Sequence, residues 1–266
     1  MEILLRNPAV MGLCAGLITW LFTSAGAGAV FLKKEFSRKT LDILLGFAGG
    51  VMIAASVWSL IDPSLELARE SWGKLHFIPA AGGFLLGGIA LRMLDFFIPH
   101  LHIALNAADG PKIKLPRNLL MILAITLHNI PEALAVGVAF GAVSIDPELG
   151  ISGALILMFG IGLQNIPEGM AVSLPLLREG MSRKKAFFYG QLSGIVEPVA
   201  AVLGALITSF AMSILPWAFS FAAGAMIFVT VEEVIPEAHA SGNGDAATMG
   251  VMTGFVCMMC LDVIFG

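Results

Sequence analysis

Charge is scarce in this chain. It has 19 acidic and 15 basic residues among 266, 13% of the total, against 58% hydrophobic. Soluble globular domains carry about a quarter of their residues as charges, so this composition lies outside the soluble class. The net charge of -4 and isoelectric point near 5.7 indicate neither a nucleic-acid surface nor a polybasic membrane anchor. Cysteine is almost absent: Cys14, Cys257 and Cys260 all fall in apolar stretches. The Cys257–Cys260 spacing superficially resembles half of a zinc or redox motif, but no second pair completes it. The three cysteines are therefore expected to pack as small apolar residues, with no disulfide. Alternating polar and apolar residues are missing too, which excludes a membrane barrel. What is abundant is apolar sequence in long runs, with a mean hydropathy of +0.90. In lipid every backbone group must pair within its own segment, so such runs form helices.

Runs of about 17 to 25 residues suffice to span a bilayer. They place eight helices at roughly 8–32, 41–61, 75–98, 117–141, 151–177, 186–209, 215–235 and 248–265, making residues 1–266 a single integral membrane domain. The first run is too long for a signal-peptide core and has no clear cleavage signature, so it is expected to remain as span one. Loops rich in Lys and Arg stay on the cytoplasmic side. Lys33, Lys34, Arg38 and Lys39 follow span one, Lys112, Lys114 and Arg117 follow span three, and Arg178, Arg183, Lys184 and Lys185 follow span five. Arg6, Arg69 and Lys74 lie on the other side and Arg92 within span three. This alternation predicts an all-α bundle with both termini extracytoplasmic.

Within the apolar sequence one pentapeptide pattern occurs twice, as His128-Asn129-Ile130-Pro131-Glu132 in span four and Gln164-Asn165-Ile166-Pro167-Glu168 in span five. A charge in a bilayer is costly and marks function. A divalent cation is its simplest compensation, because it turns buried carboxylates and amide oxygens into ligands. Residues four apart share a helix face, so His128 with Glu132, and Gln164 with Glu168, each aim two ligands one way. Asn129 and Asn165 point about 100° round the helix, toward a neighbouring second site that the glutamates could bridge. Pro131 and Pro167 each release a backbone carbonyl, at Leu127 and Leu163, and predict kinks at mid-membrane. Antiparallel spans carrying matching motifs suit an inverted-repeat bundle.

Span six adds Glu197 followed by Pro198, with Gly190 and Gly194 spaced for close helix approach. With three glutamates ionised, one divalent cation leaves a charge of about -1 and two give about +1, so either occupancy is near balance. Taken singly, each amide could serve only as an interhelical hydrogen-bonding group and His128 as a packing residue. The duplicated pattern with paired glutamates favours an ion site.

Weaker features surround this centre. Asp62, Glu66 and Glu70 recur every four positions in an outer connection over 62–74 and form one helix face if that segment is helical, read either as a solvated face or as a funnel for cations. Arg92 and Asp95 are expected to pair or snorkel. Glu232, Glu233, Glu237 and His239 end span seven against the usual basic bias, as a solvated cluster or an inner exit for cations. His100 and His102, in the connection over 99–116, read as solvated loop residues.

The two pentapeptides, the Gly169 that follows the second, and Glu197 resemble the core motifs of the ZIP (Zrt/Irt-like) family of divalent metal transporters, in particular its bacterial GufA-like branch. The resemblance spans the whole chain. It implies a binuclear site, with one metal held by His128, Glu132, Gln164 and Glu168 and a second by Asn129, Asn165, Glu197 and the bridging glutamates. Gln164 stands where a second histidine is common, and Asn165 where some bacterial members carry aspartate. The histidine-rich third loop of the family is nearly absent.

The function expected is divalent-metal transport, with zinc entering the cytoplasm across a bacterial inner membrane. One imidazole among carboxylate and amide oxygens also suits cadmium, iron, manganese and cobalt. No organic cofactor and no catalytic residue are implied. The partners are metal ions and the bilayer, with room for a homodimer. Spans one, four, five and six are expected to carry the site and move against the rest, with Gly46, Gly49, Gly50, Gly82, Gly83, Gly87 and Gly88 of spans two and three giving a shallow sliding surface. Two other classes stay open at this stage. An intramembrane metalloenzyme would need an open coordination position, and no His-Glu-x-x-His is present. A proton or sodium carrier would use the glutamates as titrating groups.

Overall fold

A computed structural model describes residues 7–32, 36–97, 100–102, 107–109, 117–145, 151–208 and 212–265. Met1, Glu2, Arg6, Lys33, Lys34, Pro111, Lys112 and Lys114 lie outside the described residues, as do the side chains of Asp95, His100, His102 and Arg117. Eight helices among the described residues are long and apolar enough to cross a membrane: Pro8–Leu32, Arg38–Leu75, Phe77–Leu94, Ile125–Ser144, Ile151–Arg178, Arg183–Thr208, Leu215–His239 and Gly244–Phe265. They correspond one for one to the expected spans and are numbered one to eight here. A two-stranded antiparallel ribbon, β1 (His100–His102) with β2 (Ala107–Asp109), follows span three.

Helix starts are written locally. Asn7 caps span one by accepting from Ala9 N at 3.0 Å and Val10 N at 3.3 Å, with Pro8 in the first turn, where no donor is needed. Ser37 and Ser182 cap spans two and six in the same way. Gly180 and Gly242 close the turns after spans five and seven with φ of 93° and 81°, a region that a β-carbon disfavours.

Three local features depart from expectation. The outer connection 62–74 is mostly helix: Asp62–Trp72 continues span two through a π-helical turn at Ser56–Ile61. Asp62, Glu66 and Glu70 therefore do share a helix face. A second π-turn, Thr230–Val234, interrupts span seven. Span six breaks at 193–195 between the helices Arg183–Leu192 and Val196–Thr208, so Glu197 and Pro198 begin a helix rather than sit inside one. Pro198 has no N–H to return to Gly194, whose carbonyl instead accepts from Glu197 N at 2.9 Å. By contrast, Pro131 lies within the continuous helix Arg117–Ile145, and Pro167 within Ile151–Arg178.

Packing divides the spans into two blocks. Span one packs on spans five and six, and span six on span four, while span two packs on span eight and span three on span seven. Glycines make these contacts close. A β-carbon on Gly50 would stand 2.0 Å from the Val251 carbonyl, one on Gly254 2.0 Å from that of Phe47, one on Gly87 2.0 Å from that of Phe221, and one on Gly137 2.1 Å from that of Ala201. The glycines of spans two and three therefore fasten those spans to spans seven and eight, within one block. This corrects the expectation of a sliding surface. The boundary between blocks is instead apolar: Val51, Met52, Leu157, Met158 and Ile161 on one side of the molecule, and Ala135, Val136, Phe219, Ala223 and Met226 on the other, belong to one continuous core.

Polar groups also bind within blocks. Buried Asp42 takes Arg38 Nε at 3.1 Å and Asn243 Nδ2 at 2.8 Å, while Arg38 reaches Glu237 at 2.7 Å and Ser241, tying span two to the turn after span seven. The cysteines are free, as expected, but Cys14 and Cys260 are exposed rather than packed inside.

Gly50→Leu should destabilise the protein by about 1–3 kcal/mol or more, because the opposing atom is backbone and cannot yield. Gly153→Ala, where nothing lies within 4 Å, should leave stability unchanged. Thermal unfolding in detergent compares the two directly.

Candidate metal site

The two pentapeptides meet where spans four and five cross. The spans run antiparallel, so the start of one motif faces the end of the other. Glu132 lies beside Gln164 and within electrostatic reach of Glu168 and Glu197, and His128 lies within reach of Glu168. Asn129, Glu132, Gln164, Asn165, Glu168 and Glu197 are all buried, and His128 nearly so. The structure thus brings all seven expected residues to one region.

The hydrogen bonding separates them. Asn129 Nδ2 donates to the Ser193 carbonyl at 3.0 Å, and Asn165 Nδ2 donates to Glu197 Oε2 at 2.9 Å. A carbonyl oxygen can only accept, so the Asn129 amide nitrogen must face Ser193. The break in span six explains the first of these bonds. Glu197 N turns to Gly194 O, which leaves the Ser193 carbonyl free of a helical partner. Both motif asparagines thus spend their donors on span six and keep Oδ1 unpaired. Both oxygens of Glu132, both oxygens of Glu168 and the side-chain oxygen of Gln164 are likewise buried with no hydrogen bond of normal geometry. An unpaired buried acceptor costs about 1–3 kcal/mol, and more if charged. Seven such oxygens in one place form an oxygen-rich cradle that a cation would satisfy. Among the described residues, no three His, Cys, Asp or Glu side chains converge as a metal-holding group. Amide oxygens are therefore needed to complete any coordination here.

One participant escaped the sequence reading, and another was read only as part of the acidic cluster that ends span seven. Thr23 of span one donates to Glu197 Oε1 at 2.5 Å. Its readable signal was Thr19 and Thr23, four apart on one face of an otherwise apolar helix. Glu233, in the π-turn of span seven, places Oε1 3.2 Å from His128 Nε2 and so links the site to the other block. The remaining acidic residues at that end disperse. Glu237 is held by Arg38, Glu232 is exposed, and His239 binds the Ile235 carbonyl and Thr248.

At the opposite end a cavity of about 750 Å³ opens between the blocks. Its lining includes Asp62, Glu66, Glu70 and Asp262, and Ser59 donates to Asp262 at 2.8 Å. None of the seven site residues lines it.

Comparison with known proteins decides the class. The profile of the ZIP zinc transporter family matches residues 109–262, more than half of the chain and all of the site region. The chain belongs to the ZIP family. It is 43% identical to the zinc transporter GufA of Myxococcus xanthus, over 96% of this chain and 99% of that protein. It is 40% identical to the zinc transporter ZIP11 of Xenopus tropicalis, over 98% of each, and 38% identical to the zinc transporter ZIPB of Bordetella bronchiseptica, over 97% of this chain and 81% of that protein. ZIP proteins are integral membrane transporters, not enzymes, so the metalloenzyme alternative falls.

Unpaired acceptors make a stability prediction specific to this ZIP site. Glu132→Met should raise the melting temperature of the metal-free protein, by removing a buried group that costs about 1–3 kcal/mol, while weakening the rise produced by added zinc. A melting temperature below wild type without metal would show that Glu132 is satisfied by the protein.

Proposed function

We propose that this ZIP protein carries zinc into the cytoplasm through the centre formed by His128, Asn129, Glu132, Gln164, Asn165, Glu168 and Glu197. The observation that supports this best is the set of buried oxygens on Glu132, Glu168, Gln164, Asn129 and Asn165 that make no hydrogen bond of normal geometry. Two carboxylates among neutral amide oxygens, with one imidazole beside them, match a divalent cation in charge and hardness. The same donor set lacks thiolates and admits cadmium, iron, manganese and cobalt. Relatives named as zinc transporters support zinc as the principal cargo.

Spans one, four, five and six move as one block against the others, exposing the centre to each side in turn. The apolar boundary of small residues and methionines between the blocks suits such a movement, since few polar bonds need to break. The acidic cavity lined by Asp62, Glu66 and Glu70 is the outer approach, where negative potential concentrates cations. The Lys- and Arg-rich ends face the cytoplasm, in the inner membrane if the source is bacterial.

Zinc entry into liposomes containing the purified protein and an internal indicator should be saturable, and Glu168→Ala should lower it at least tenfold. Cadmium, manganese and magnesium as competitors rank the accepted ions, with magnesium weakest. Proton flux that persists without metal would instead support a proton carrier.

A further inference from the structure

Glu197 differs from the other two glutamates in what surrounds its carboxyl group. Glu132 and Glu168 have no hydrogen bond of normal geometry on either oxygen, and among the described residues only the Gln164 amide lies close enough to donate to Glu132. Glu197 has one on each, Thr23 Oγ1 at 2.5 Å from Oε1 and Asn165 Nδ2 at 2.9 Å from Oε2, with the Thr19 hydroxyl also within reach of the carboxyl group. Thr23 is fully buried. Its single hydroxyl proton has one other acceptor near it, the Thr19 carbonyl at 3.5 Å, and the shorter bond to a carboxylate is much the stronger.

The socket around Glu197 is fitted to this arrangement. A β-carbon on Gly194 would stand 2.5 Å from Glu197 Oε1 and 2.9 Å from both the Thr23 methyl and the Trp20 ring. Trp20 is itself fixed by donating Nε1 to the Gln191 carbonyl at 2.8 Å. On span one, a β-carbon on Gly16 would meet the Glu197 carbonyl oxygen at 2.8 Å. Span one therefore supplies the hydroxyl donor to Glu197 Oε1, and the absence of a side chain at Gly194 lets the carboxyl group lie beside Thr23 and Trp20.

Charge agrees with geometry. Glu132 and Glu168 together offset one divalent cation, and the third carboxyl group is satisfied by its two donors. Asn165 takes part in both arrangements. Its nitrogen is committed to Glu197, and its Oδ1 is one of the unpaired acceptors.

We propose that Thr23 is a positioning residue which, with Asn165, holds Glu197 as a hydrogen-bonded strut, so that this chain binds one divalent cation at a time among His128, Glu132, Gln164 and Glu168. Glu197 acts through Asn165, whose oxygen it turns toward that cation. The proposal rests on the transport-site reading above and departs from the binuclear arrangement that the family resemblance implies.

The test is zinc stoichiometry on the full-length protein in detergent, by equilibrium dialysis and elemental analysis, alongside liposome flux. The wild type should hold one zinc per chain. Asn165→Asp, which replaces a donor with a carboxylate beside Glu197, should raise this to two. Thr23→Val should raise the half-saturating zinc concentration about tenfold, the worth of one hydrogen bond to a charged group, with maximal flux kept, and Thr23→Ser should restore the wild-type value. Two zinc ions in the wild type, one of them lost in Glu197→Ala, would overturn the proposal while leaving the transport site intact. Zinc binding unchanged by Glu168→Ala would overturn the site reading and this proposal together. Should Thr23→Val fail to fold, the wild-type and Glu197→Ala stoichiometries still decide.

Discussion

An acceptor buried in hydrocarbon must find a donor or a cation, and the centre of this protein is organised by that requirement. Hydrogen-bond donors in the region are few, and apart from the Gln164 amide beside Glu132 they serve to hold spans together. The two asparagine amides go to span six, the Thr23 hydroxyl to Glu197, and the Trp20 indole to the Gln191 carbonyl. What is left is a surplus of oxygen. The broken helix of span six makes this partition work, because an unbroken helix would have used the Ser193 carbonyl itself. Pro198 and Gly194 set the break, and the break supplies the acceptor that turns Asn129 so that its oxygen stays unpaired.

The same economy of polar groups shapes the larger architecture. Interhelical side-chain bonds such as Ser59 to Asp262, Ser64 to the Pro216 carbonyl and Ser220 to the Pro79 carbonyl lie within the block of spans two, three, seven and eight. The Thr23, Asn129 and Asn165 bonds lie within the other. Close glycine contacts follow the same division. In lipid no hydrophobic force drives helices together, so backbone approach and polar bonds supply cohesion, and here both act inside each block. Across the boundary lie Met52, Met158, Met226 and small side chains, whose packing adapts to displacement. The His128–Glu233 contact crosses that boundary from within the candidate metal site. A cation that engages His128 thus acts on a residue that also touches the opposite block, at a π-turn whose irregular backbone sits beside it.

Much of this was legible in the sequence because it is local. Span number follows from run length, and the family from the duplicated pentapeptide. That His128, Glu132, Gln164 and Glu168 gather at one place follows from helical spacing and antiparallel order. What was not legible depends on partners distant in the chain. Glycines at 46, 50, 83 and 87 announce close approach but not to which neighbour, and the neighbour decides whether they allow sliding or prevent it. Proline in a membrane helix announces a lost hydrogen bond but not a break: Pro131 and Pro167 are absorbed within continuous helices, whereas Pro198, just after Gly194, opens a new one. Asn165 shows its type but not which neighbour takes its amide nitrogen, and that neighbour is Glu197, 32 residues later.

The block movement proposed above would also constrain how charge can be distributed within the block. A carboxylate that depended on the stationary block for its partner would lose that partner at each passage, and an unpaired charge at mid-membrane is costly. Thr23, Asn165 and Glu197 belong to spans one, five and six, all on the same side of the boundary, so the satisfaction of Glu197 is independent of the position of the block. Glu132 and Glu168 lack such donors and become neutral as a pair only with a divalent cation between them. With Glu197 ionised, the loaded centre would carry a net charge of about -1 and the empty one about -3, which would make passage with cargo easier than passage without it. Under that proposal, the division between satisfied and unsatisfied carboxyl groups would tie movement of the block to presence of the ion.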